Sequence, residues 1–227
     1  MKNIFSILSL IVAIVAHGQS TRSFEVEDFK SLKISGPFEV VLLKGSSNSV
    51  ELSGDQKVID GTTIKIERNR LVVEFERNSW KGSVDRTKVR ITFDQLEELI
   101  VGGACELESD DKLVSSNLSL GVNGASKVNL EVQSQELVAE ISGASSIRIS
   151  GRVENQSIEI SGASSYRASE LDSNQAIIKG SGASNATISV KEALRADLSG
   201  ATSVYYYGNP NVMDANTSGA SSVKRRN

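Results

Sequence analysis

One short phrase recurs down the second half of this chain: VGGACELE, VNGASKVNL, ISGASSIRIS, ISGASSYRAS, GSGASNATIS, LSGATSVYYY and TSGASSVKRR. The glycine before each alanine stands at 103, 124, 143, 162, 182, 200 and 219, at intervals of 21, 19, 19, 20, 18 and 19 residues. Self-similarity at a fixed period marks a repeat architecture, in which each unit buries its apolar face only by stacking on its neighbours. A unit of about 19 residues is too short for a propeller blade of 40 or more, and it lacks the helical period of ankyrin or tetratricopeptide arrays.

Numbering each unit from its glycine shows two kinds of column. Position −2 (Val122, Ile141, Ile160, Gly180, Leu198, Thr217) and position +4 (Leu107, Val128, Ile147, Tyr166, Ala186, Val204, Val223) are mostly apolar. Positions −3 (Gly121, Glu140, Glu159, Lys179, Asp197, Asn216) and +5 (Glu108, Asn129, Arg148, Arg167, Thr187, Tyr205, Lys224) are mostly polar. This is the period of two of half-buried strands, on both sides of the Gly-Ala step. The fold expected is all-β: a right-handed parallel β-helix, or solenoid, whose coils stack at about 4.8 Å, so that seven rise about 35 Å. The glycines read as corner residues that accept a backbone conformation closed to others. The alanines at +1, from Ala104 to Ala220, are expected to form an inward line of small side chains at that corner. Position +2 reads Cys105, Ser126, Ser145, Ser164, Ser184, Thr202 and Ser221, so the only cysteine takes a small-residue slot in a serine ladder, and no intramolecular disulfide is available.

Residues 19–100 lack the tight repeat but are β-rich, and are expected to continue or cap the solenoid whose coils occupy 101–227. Gly36-Pro37-Phe38 reads as a degenerate corner, and Asn69, between IKIER and RLVVEF, as a tight hairpin reversal. Open solenoid ends are adhesive sheet edges, and Lys224-Arg225-Arg226 reads as charge that protects the last one. Residues 1–18 read as a secretory signal peptide: Lys2, an apolar run from Ile4 to Ala16, and cleavage after Gly18. That run is too short to span a bilayer, and no later segment is long and apolar enough to do so.

Cleavage removes Lys2 and the single histidine, His17, leaving 24 basic against 28 acidic side chains, a net −4. A chain with no histidine has no Ser-His-Asp or Cys-His pair, no histidine base and no histidine-built zinc, copper or iron site. The acidic balance argues against nucleic acid as a partner. No cofactor is expected. Asp110-Asp111 and Glu97-Glu98 offer hard oxygen ligands for calcium, but without the spacing of an EF-hand or a β-roll.

The opening VEDFKSLKISGPFEVVLLKG, the middle IERNRLVVEFE with Trp80 and KVRITFDQLEELIVGGA, and the repeated SGAS steps resemble the head GIN domain of auto-transporter adhesins, a family first described as a domain of unknown function. The resemblance runs from about Phe24 to Val223. It implies an exported β-solenoid envelope protein with an adhesive role and no established catalytic residues.

Two groups of residues are candidate sites. Arg148 and Arg167 stack in column +5, with Tyr205 and Tyr207 on the same outward side; guanidinium donors and aromatic faces together suit a sugar or an anion. Glu140 and Glu159 stack in column −3, about 4.8 Å apart along the coils. A glycosidase needs two carboxylates about 5.5 Å apart for retention or about 6.5 to 9.5 Å for inversion; the plainer reading is two solvated glutamates beside Lys179. The function expected is a non-catalytic envelope or cell-surface binding module for glycan, matrix or envelope protein, placed in the periplasm, on the outer surface or outside the cell. The alternatives are a carbohydrate-active enzyme on a β-helix scaffold and a structural module that associates end to end.

Overall fold

The computed structural model describes residues 20–75 and 86–227; the expected signal peptide with its expected cleavage site, and Trp80, lie outside the described residues. Eighteen strands and one helical turn follow in order. They are β1 (Ser20–Glu25), β2 (Ser31–Gly36), β3 (Phe38–Lys44), β4 (Ser49–Gly54), α1 (Gln56–Asp60), β5 (Thr62–Glu67), β6 (Arg70–Phe75), β7 (Thr87–Phe93), β8 (Glu98–Gly103) and β9 (Glu106–Ser109). The second half adds β10 (Leu113–Val122), β11 (Lys127–Ile141), β12 (Ser146–Ile160), β13 (Ser165–Gly180), β14 (Asn185–Ser189), β15 (Ala193–Leu198), β16 (Ser203–Tyr207), β17 (Val212–Thr217) and β18 (Ser222–Arg225).

From β8 onward every pairing is parallel, each coil lying on the one before it. The registers join one column to itself: Val128 pairs with Ile147, Ile147 with Tyr166, Tyr166 with Ala186, Ala186 with Val204, and Val204 with Val223. The chain is therefore a β-solenoid, as the repeat requires. Its core is the stack of alternating inward residues: Val122, Ile141, Ile160 and Leu198 from column −2, and Leu107 through Val204 from column +4, are all buried. Columns −3 and +5 face outward, Glu140, Glu159, Arg148 and Arg167 among them.

The corner departs from expectation in one respect. The glycines adopt φ of +71° to +78°, which directs the following alanine out to solvent, so Ala104, Ala125, Ala144, Ala163, Ala183, Ala201 and Ala220 are exposed. The inward small residues are those at +2, including Cys105, Ser126, Ser145 and Thr202. The alanine contributes its backbone instead: Ala144 N–H donates to the Gly124 carbonyl at 2.8 Å, and Ala163 N–H to that of Gly143 at 2.8 Å. The buried hydroxyls add a second thread, Ser145 Oγ to Gly124 O, Ser164 Oγ to Gly143 O and Ser184 Oγ to Gly162 O, each at 3.3 Å. Cys105 follows the same rule, its Sγ lying 3.2 Å from Gly36 O.

Gly36 is thus the foot of the glycine column, paired with Gly103 and accepting from Ala104 N–H at 3.1 Å. Below it the order in space leaves the order in the chain. β2 lies between β6 and β8, and β3 between β7 and β9, so the coil of residues 31–44 is flanked by strands that come later. β4 runs antiparallel to β1 and β7, and β5 to β6. The β5–β6 reversal places Arg68 and Asn69 at φ of 50° and 66°, the two positive values that a two-residue type I′ hairpin demands. No helix among the described residues is long and apolar enough to cross a membrane.

Candidate functional site

The unequal repeat lengths shape the surface. Coils 143 and 162 are in register up to Arg148 and Arg167, but Ser150 then pairs with Glu170, so the longer coil carries one extra residue. This bulge accounts for the 20-residue interval. It turns Ser169 and Glu170 both to solvent, breaking the alternation beside the two stacked arginines. Bulges re-aim side chains in this way and are frequent next to functional sites.

Arg148, Arg167, Tyr205 and Tyr207 line one concavity of about 330 Å³, with Ser169 and Glu170 along its wall. Arg148 and Arg167 are paired neighbours on β12 and β13. Thr187 of β14 takes the next place in the column, between Arg167 and Tyr205. Arg226 completes the rim: its N–H donates to Tyr206 O at 2.8 Å, and its guanidinium lies 3.9 Å from the centroid of the Tyr205 ring, a cation–π geometry. The sequence reading took Arg226 only for edge-protecting charge. The available signal was a further column, +7, in which Ser150, Ser169, Ser189, Tyr207 and Arg226 follow one another.

Among the described residues the ion pairs use other side chains, and Arg148, Arg167 and Arg226 have no carboxylate partner. Glu170 is the one acidic residue lining the concavity against three guanidinium groups. Beneath it the scaffold is fixed. Tyr166, next to Arg167, is fully buried, and its hydroxyl joins a chain through Gln156 and Ser173 to the Ser189 carbonyl.

The remaining candidates lie elsewhere. Glu140 and Glu159 are paired neighbours, with Lys179 next in the column. Both are exposed, and they line neither this concavity nor a second, larger one of about 810 Å³. That second concavity mixes both charges, with Lys44 and Arg152 alongside Asp94, Glu97 and Glu154. Two of its three acidic residues already have partners: Glu97 pairs with Lys30 at 2.8 Å, and Glu154 accepts from Asn174 at 2.7 Å. The adjacent acidic pairs also serve the fold. Asp111 accepts from the Lys44 backbone N–H at 2.9 Å. Burial opposes ionisation of Glu98, yet hydrogen bonds from Ser31 and Arg70 outweigh it and hold its carboxyl below the usual range. Among the described residues no group of three or more His, Cys, Asp or Glu is placed to hold a metal ion.

The family model described as "Putative auto-transporter adhesin, head GIN domain" matches residues 28–210. Among solved structures, a putative adhesin from Bacteroides fragilis superposes with a TM-score of 0.88 at 17% identity, covering 93% of this chain and 98% of that one. A putative adhesin from Parabacteroides merdae gives 0.71 at 19% identity, covering 92% and 96%. A protein from Parabacteroides distasonis described as a putative lipid binding protein gives 0.69 at 16% identity, covering 92% and 97%. These likenesses establish the shared fold. No protein of curated function matches the sequence significantly.

Proposed function

The chain belongs to the head GIN domain family of putative auto-transporter adhesins, and from that premise we propose that it is an exported, non-catalytic envelope protein that binds a glycan, matrix or envelope-protein ligand through the Arg148–Arg167–Tyr205–Tyr207 concavity. One observation carries the proposal: four side chains from three coils, three chosen by column +5 and Tyr207 by its outward side, converge on a single concave surface. Ligand sites are typically concave, with a few convergent polar and aromatic groups, and a hydrogen-bonded ladder holds these without the mobility of a loop. The absence of a histidine after residue 18, and the open position of Glu140 and Glu159 on a flat strand face, favour binding over turnover. The test is a glycan and extracellular-matrix array probed with residues 19–227, run beside Arg148→Ala/Arg167→Ala. A selective ligand lost in the variant is the expected result; turnover of a polysaccharide by the purified protein overturns the non-catalytic reading.

The C-terminal end favours a second role, self-association. β17 and β18 each pair on one side only, and Val212 and Met213 on β17 are 52% and 45% exposed. Such an edge is a template for another strand. Light scattering that detects only monomer at high concentration removes this reading.

A further inference from the structure

Resting on the binding reading above, we infer that the concavity takes an acidic polysaccharide, held by the sulfate or carboxylate groups along its chain. Three features of the site select this ligand class. The first is uncompensated charge: Arg148, Arg167 and Arg226 face Glu170 alone, in a protein of net acidic charge. Like charges directly opposite one another on neighbouring strands destabilise a sheet, and the Arg148–Arg167 neighbours carry that cost with no protein carboxylate to relieve it. Guanidinium forks match carboxylate and sulfate oxygens in bidentate geometry.

The second feature is length. The cationic and aromatic groups extend along the solenoid axis from Arg148 to Arg226, four coil steps or about 19 Å at about 4.8 Å per step. A single small anion needs one arginine fork, whereas a row of donors along a straight ladder fits a polymer with repeating charge. The bulge at Ser169 and Glu170 turns both side chains out to line one side of that row.

The third feature is what the lining lacks. Neutral-sugar recognition rests on aromatic faces; the lining sets two tyrosines against three guanidinium groups, and one face of Tyr205 is already covered by Arg226. The only aliphatic residue of the lining, Ile149, is itself buried, so no apolar surface is offered to a lipid tail.

The experiment measures binding of residues 19–227 to heparin, hyaluronate and neutral dextran by titration calorimetry at low and high salt. Arg148→Gln/Arg167→Gln is run beside Lys179→Gln/Arg195→Gln, which changes net charge equally on other parts of the surface. All four side chains are exposed, so both variants are expected to fold, which circular dichroism checks. The expected result is binding to heparin or hyaluronate but not dextran, weakened by salt, and reduced at least about tenfold by the site variant alone. Binding of dextran as tight as that of the acidic polymers, and lost in the site variant, overturns the acidic assignment while the binding reading stands. Acidic binding that both variants weaken equally reduces the effect to general charge and overturns the site. Failure to bind any of the three polymers, together with an array hit lost in Arg148→Ala/Arg167→Ala, overturns this inference alone; a blank array overturns both.

Discussion

The Tyr166 hydroxyl lies 3.0 Å from Gln156 Oε1 inside the solenoid core. Gln156 Nε2 in turn donates to Ser173 Oγ at 2.8 Å, and Ser173 Oγ to the Ser189 carbonyl at 2.7 Å. Tyr166, Gln156 and Ser173 are all buried, so the chain satisfies in one line polar groups that water cannot reach. Tyr166→Phe is expected to destabilise the protein by about 1–3 kcal/mol by leaving the Gln156 carbonyl unpaired. Tyr166→Phe/Gln156→Leu should recover part of that loss. Urea titrations of these two variants and of Gln156→Leu alone check this, and additive losses would mean the two groups act independently.

The same burial sets an alkaline limit. It pushes the Tyr166 phenol well above its usual range and also raises the Cys105 thiol, against weaker lowering by backbone hydrogen bonds to Phe38 and Gly36. Both groups hold their protons to higher pH in the folded chain than in the unfolded one, which ionises near pH 8.5 at the thiol and near pH 10 at the phenol. The unfolded state then binds fewer protons, so the contribution of these two groups is constant below about pH 8 and falls as pH rises past these two values. Thermal melts from pH 7 to 11 should show the decline. In Tyr166→Phe/Cys105→Ser the slope should flatten, and an unchanged slope would exclude these groups as its source.

Glycine is required in the corner column on two grounds. At Gly143, with φ of +78°, an added Cβ would stand 2.5 Å from the Gly124 carbonyl oxygen. Gly143→Ala is expected to cost about 2–4 kcal/mol from left-handed strain and that collision with backbone. Gly121→Ala is the matched control: its Cβ would meet only the Ile100 side chain, at 3.7 Å. Denaturant unfolding should place the control within about 1 kcal/mol of the parent. Equal losses at both positions would refute the geometric account.

Cys105 stands in a serine position and makes a serine-like contact, Sγ to Gly36 O. Cys105→Ser is therefore expected to change stability by less than about 1.5 kcal/mol. The native thiol, buried and raised in pKa, should resist alkylation at neutral pH until the chain unfolds. Rapid labelling of the folded protein would show a corner that opens.

Much of this structure was legible in the sequence because a parallel stack repeats its side-chain environments at the interval of the repeat. Val128, Ile147 and Tyr166 are readable as one buried column before any coordinates, and Arg148 with Arg167 as one exposed pair. Asn69 was readable because a two-residue reversal imposes its own chemistry. The alanine column was misread because small size fits both an inward corner and an outward one. What decides the direction is the sign of φ at the preceding glycine, which side-chain volume does not encode. The concavity needed more than columns. The extra residue at Ser169 shows in the sequence only as an interval of 20 among others of 18, 19 and 21, and Arg226 reaches Tyr205 diagonally across the parallel β16–β18 ladder rather than within its own column.

The place of residues 31–44 between later strands bears on how the chain can be assembled. Its rungs wait for Arg70–Phe75 on one side and Glu98–Ser109 on the other, so the first coil to emerge during synthesis cannot close until about 65 further residues have followed. Closing so long a loop adds entropy cost and slows folding relative to neighbour-on-neighbour stacking. The coils from Gly124 to Gly219 need only the preceding turn as template. Zippering from β10 onward can therefore outrun the amino-terminal end, which leaves Leu32–Lys44 the segment most exposed to chaperones and proteases while the chain folds.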